Sequence, residues 1–123
     1  MTRPLVVCSA IIFLCLPTLC LAQSPPDVVG DWQGRLGGGS RNLVIIHISK
    51  AADGKLTGSL ESPDQGVHGM PLDSILFEKG KLKFRSLYGF STYEGKIKPD
   101  GSQISGFWTQ ADTFPLDFKR VKN

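Results

Sequence analysis

The chain has 123 residues, the size of one domain, with 14 Lys and Arg against 11 Asp and Glu. The formal charge of +3 falls to +2 once Arg3 is set aside with the leader described next, leaving 13 basic residues. That balance points neither to nucleic acid nor to an acidic partner.

Residues 1–22 read as a secretory signal peptide. Arg3 supplies the positive start, an apolar run extends from Leu5 to Leu16, and Pro17-Thr18 ends it. Cys20-Leu21-Ala22 then places small residues around a cleavage site before Gln23. A retained membrane anchor is the alternative, but the run is short for a bilayer and Pro17 interrupts it. Bulky Leu19 disfavours lipidation at Cys20. The expectation is a secreted or periplasmic protein with no membrane contact after cleavage. Cleavage after Ala22 leaves 101 residues and removes Cys8, Cys15 and Cys20. The mature chain then has no disulfide, thiol nucleophile or thiolate metal site, and its core must hold it together.

Residues 23–28 form a linker around Ser24-Pro25-Pro26, and residues 29–122 form the domain. Short alternating apolar segments follow one another between turn residues, the rhythm of an all-β fold. Eight strands are predicted. They run from Val29 to Leu36, Asn42 to Ser49, Lys55 to Glu61, Leu72 to Glu78, Lys81 to Leu87, Ser91 to Lys98, Gln103 to Thr109 and Phe114 to Val121. Gly37-Gly38-Gly39-Ser40, Ala52-Asp53-Gly54, Glu78-Lys79-Gly80, Tyr88-Gly89 and Pro99-Asp100-Gly101 supply turns. Ser62 to Pro71 is read as a long loop.

One pattern occurs four times: an inward glycine between two inward apolar residues. It appears at Trp32-Gln33-Gly34-Arg35-Leu36, Leu56-Thr57-Gly58-Ser59-Leu60, Tyr93-Glu94-Gly95-Lys96-Ile97 and Ile104-Ser105-Gly106-Phe107-Trp108. Glycine weakens a flat strand, but it lets a strand coil and makes room for large neighbours in a narrow interior. With short connections, this predicts an eight-stranded antiparallel up-and-down (meander) barrel, lipocalin-like but without a C-terminal helix. Pairing of the first and last strands would remove both edges, and an open sandwich is the alternative.

The residues carry little sign of catalysis. His47 alternates with Ile46 and Ile48 and so faces outward, and His68 lies in the long loop. No Gly-x-Ser-x-Gly elbow or phosphate loop is present. Lys79, Lys81, Lys83 and Arg85 read as the wet face of one strand. The expectation is a non-enzyme without metal or cofactor. An eight-strand barrel is either just filled by side chains or holds one small ligand. Trp32, Phe84, Tyr93 and Trp108 are the candidate pocket lining, equally readable as core. Asp64, Gln65 and His68, on the long loop, are candidate ligand contacts.

Gly30-Asp31-Trp32 resembles the Gly-x-Trp opening of lipocalins. That resemblance implies a Trp closing one barrel end beneath a basic residue from near the chain end, here Lys119 or Arg120. A wider resemblance rests on Gly30-Asp31-Trp32-Gln33-Gly34, His47-Ile48-Ser49-Lys50, Ala52-Asp53-Gly54-Lys55-Leu56, Ser62-Pro63-Asp64-Gln65-Gly66, Tyr93-Glu94-Gly95 and Gly106-Phe107-Trp108-Thr109-Gln110. These look like a small secreted bacterial β domain found alone or N-terminal to α/β-hydrolase domains. The sequence ends at Asn123 without a catalytic domain, so the resemblance carries over no hydrolase activity. Two functional readings follow: a monomeric module holding a small apolar ligand, or an interaction module or inhibitor acting on an extracellular hydrolase.

Overall fold

A computed structural model describes residues 26–39, 42–86 and 90–122. The expected leader, Ser40 and the Tyr88-Gly89 turn lie outside them. The strands are β1 (Gly30–Arg35), β2 (Leu43–Lys50), β3 (Leu56–Ser62), β4 (Val67–Glu78), β5 (Lys81–Ser86), β6 (Ser91–Ile97), β7 (Gln103–Gln110) and β8 (Asp112–Arg120). They form a closed barrel in sequence order, every neighbouring pair antiparallel. Two three-residue 3-10 turns, Leu36–Gly38 and Pro63–Gln65, lie between strands.

Two boundaries differ from the sequence reading by more than one residue. The Ser62–Pro71 segment is not a long loop. Gly66 takes a left-handed conformation (φ 69°) after the Pro63–Gln65 turn, so the chain reverses at once. Val67 and Met70 then pack against the core and pair with Ser62 and Leu60 across a bulge. At the other end of the chain, β8 begins at Asp112 because Ala111 alone carries the positive φ (66°) of the β7–β8 turn.

The period-2 reading of the interior holds. Trp32, Val44, Ile46, Ile48, Leu60, Leu82, Phe84, Tyr93, Ile97, Ile104, Trp108, Leu116 and Phe118 are all buried. Ile75 and Phe77 pack against them. The four inward glycines lie where strands or rings come too close for a side chain. Gly95 and Gly106 face each other across β6 and β7. A Cβ on Gly106 would run into the backbone of Glu94 and Gly95, and one on Gly34 into the carbonyl of Asp117. A Cβ on Gly58 would lie 2.7 Å from the carbonyl oxygen of His47.

Hairpins place one end of the barrel at residues 26–30, 51–55, 79–80 and 98–102, and the other, the mouth, at the turns near Leu36, Pro63, Phe90 and Ala111. The first end is sealed. Trp32 Nε1 donates to Val28 O (2.9 Å), folding the approach to β1 over the barrel. The Arg120 guanidinium lies 4.2 Å from the centre of the Trp32 ring. It donates to the carbonyls of Gly101 (3.0 Å), Val29 (2.8 Å) and Asp27 (2.6 Å). Of the two basic residues expected over Trp32, Arg120 takes the position and Lys119 points outward. The planar fork of Arg serves three carbonyls and one ring together, which an ammonium group does less well.

Replacing Arg120 with Ala should lower unfolding free energy by about 3 kcal/mol, from lost charge-assisted hydrogen bonds and the cation–π contact. Urea titration followed by tryptophan emission measures it, and Arg120→Lys should recover only part. Gly106→Ala should cost about 2–3 kcal/mol, because backbone atoms on β6 cannot give way; exposed Thr57→Ala on β3 should stay within about 0.5 kcal/mol in the same assay.

Candidate functional site

The interior is filled. Tyr93 stacks on Phe84 (centroids 5.3 Å apart, planes at 24°) and meets Phe118 edge-on at 5.0 Å. Trp108 meets Phe84 edge-on at 6.3 Å. These offset and T-shaped pairings are the favourable ones for ring quadrupoles. The Tyr93 hydroxyl donates to Leu116 O (2.8 Å), and burial pushes its pKa upward. Trp32, Phe84 and Tyr93 are thus packed in the core, and Phe84 and Tyr93 also line an open depression of about 520 Å³ in the barrel wall.

Trp108 differs because it reaches the mouth. There a cavity of about 30 Å³ lies among Leu36, Val44, Leu60, Ser62, Gln65 and Trp108, with Asn42 and Gln110 at its rim. Such a space takes a water-sized guest. Gln110 Oε1 accepts from Trp108 Nε1 (3.1 Å), and Gln65 Oε1 accepts from the buried Ser62 hydroxyl (3.0 Å). The structure therefore brings two of the seven sequence candidates, Trp108 and Gln65, together at this cavity, and two others, Phe84 and Tyr93, together at the depression in the wall. Asp64 is turned away, accepting from Leu43 N (3.1 Å) to fasten the turn to β2. His68 stands on the outer wall of β4. Around the mouth two apolar rings meet solvent: Phe90, 87% exposed, and Phe114, 37% exposed. Neither was singled out by sequence reading. Phe114 pairs with Trp108 across β7 and β8, and only the turn position at Ala111 shows that it stands on the rim.

The sequence reading also missed a polar bridge on the outer wall. Asp31 is directly opposite His47, and Glu61 lies one diagonal step away on β3. His47 Nδ1 is 2.7 Å from Asp31 Oδ1, and its Nε2 is 2.6 Å from Glu61 Oε2. His68 Nδ1 approaches the other Glu61 oxygen at 3.5 Å. Each ring nitrogen of His47 faces a carboxylate, so the doubly protonated imidazolium satisfies both. Its pKa is raised, first by the hydrogen bond to Glu61 and then by that to Asp31. That of Glu61 is lowered, chiefly by His47. Among the described residues no group of three or more His, Cys, Asp or Glu side chains is arranged to hold a metal ion. The bridge ties three strands together.

Comparisons with protein-family models and with curated proteins find no match for this chain.

The bridge makes stability depend on pH. His47, its pKa raised from 6.5, contributes fully below that value and ceases to as pH rises through its folded pKa. Glu61, its pKa lowered from 4.5, contributes above that value and loses its contribution as pH falls. The bridge is thus strongest between 4.5 and 6.5. His47→Gln should lower the urea midpoint in that interval and remove the decline on the alkaline side; an unchanged slope there would show that His47 does not carry it.

Proposed function

We propose that this barrel is a non-catalytic accessory module that recognises a partner protein, an extracellular hydrolase, with the rim of its mouth. The observation that carries this reading is the pairing of a filled interior with exposed aromatic rings at the open end. A calyx that stores an apolar molecule needs several hundred cubic ångströms, whereas the mouth cavity measures about 30 Å³. Phe90 and Phe114 are costly to leave in water, and aromatic anchors ringed by polar groups characterise protein interfaces. Asn42, Gln65 and Gln110 supply polar groups at the same end of the barrel. The hydrolase as partner class comes from the resemblance of the chain to β domains that accompany such enzymes, and the leader-like start supports an encounter outside the cytoplasm.

A second reading, a small apolar ligand at the mouth, is favoured by the position of Trp108 and Gln65 on the cavity. It predicts a saturable shift in tryptophan emission with an apolar probe such as 1-anilinonaphthalene-8-sulfonate, whereas the partner reading predicts none. The direct test is affinity capture from the native secretome with the mature chain and with Phe90→Ser/Phe114→Ser. A hydrolase should be recovered by the wild type and reduced roughly tenfold by the variant, the loss of one or more anchor contacts. Recovery of no hydrolase, or equal recovery by both, contradicts the proposal.

A further inference from the structure

We infer that the outer wall of β4–β7 is a binding groove for an acidic polysaccharide. Two open depressions adjoin there, of about 520 Å³ and about 270 Å³, and Lys83 borders both. The larger, toward the mouth, is lined by Phe107, Thr92, Thr109 and Thr113 together with Phe84 and Tyr93. The smaller, toward the sealed end, surrounds Leu76 with Lys79, Lys81, Lys83 and Lys96.

Three features point to the ligand. First, charge is in excess and partly opposed to folding. Lys81 and Lys96 sit directly opposite each other on β5 and β6, a like-charge pair that destabilises a sheet. The Glu94 carboxylate is shared by Lys81 (3.6 Å) and Lys83 (3.8 Å), while Arg85 is held by Asp73 (2.6 Å). Five cations on this wall therefore face only the carboxylates of Asp73, Glu78 and Glu94. No ion-pair partner lies within reach of Lys96 or Lys79 among the described residues. A ligand that brings negative charge relieves this.

Second, Phe107 is 58% exposed on the outside of β7, beside Pro115 of β8. A flat exposed ring on a sheet offers its negative face to the polarised C–H bonds of a sugar ring, the same quadrupole that attracts cations. Threonine hydroxyls beside it both donate and accept, matching sugar hydroxyls. Third, the groove follows the length of β5, about 20 Å for its six residues, which accommodates several sugar units. A peptide would gain most by adding a strand, but the closed barrel offers no free edge.

The inference stands apart from the mouth and its partner. It is tested by isothermal titration of the mature chain with polygalacturonate, with neutral dextran, poly-L-glutamate and single-stranded oligothymidylate as comparisons. Polygalacturonate should bind and dextran should not, with affinity falling steeply as salt rises. Phe107→Ala and Lys81→Gln/Lys96→Gln should each weaken binding roughly tenfold. Circular dichroism should show both variants folded, since the altered side chains face solvent, and Phe90→Ser at the mouth should bind as the wild type does. Absence of polygalacturonate binding overturns the inference. Binding that Phe107→Ala leaves unchanged, or equal affinity for poly-L-glutamate or oligothymidylate, overturns the sugar assignment by reducing the groove to a charged surface.

Discussion

Closure of β1 onto β8 is the constraint on which the rest of the molecule depends. The pairing is short: Trp32 opposite Arg120 and Gln33 opposite Lys119, extended by Val121 N donating to Asp31 O at 2.8 Å. A ladder of that length would be marginal alone. Its reinforcement comes from Arg120, which joins the end of the last strand to the ring that begins the first and to the carbonyls around it. Without that seal the sheet would present two free edges and a row of large apolar side chains to water. No cysteine lies among the described residues to do the same work, so a side-chain network performs it.

Closure also dictates what fills the barrel. Strands that bend tightly need residues without side chains on the concave face, and Gly34, Gly58, Gly95 and Gly106 provide them. The rings of Trp32, Phe84, Tyr93, Trp108 and Phe118 occupy the space so gained. Curvature and filling are thus two sides of one arrangement. The recognition proposed for this barrel therefore falls to its outside: the mouth, where Phe90 and Phe114 reach water, and the wall of β4–β7, where lysines and Phe107 do.

The architecture was legible in the sequence because a strand has a strict period. Alternation set Val44, Ile46 and Ile48 inward, and the apolar-x-Gly-x-apolar pattern marked the curved strands and hence the closure. What alternation does not encode is pairing between distant strands. Asp31, His47 and Glu61 each read only as outward polar residues; their bridge exists because β1, β2 and β3 are in a particular register. The start of β4 was obscured by Gly66, Gly69 and Pro71, residues that ordinarily mark loops, although Val67 and Met70 carried the inward signal. Nor does a list of inward aromatics tell a filled barrel from a hollow one. That depends on volumes summed across eight strands, and Trp108 alone of the four candidates reaches the cavity.

Closure of the sheet is tested most directly by nuclear magnetic resonance of residues 23–123. Cross-strand contacts should join the protons of Gln33 and Lys119, and the Trp32 ring should contact the Arg120 side chain. The amides of β1 and β8 should then exchange with solvent as slowly as those of β6 and β7. Rapid exchange throughout β1 and β8 with no contact between them would show an open sheet, and the reading of a filled barrel that binds from its outside would be wrong.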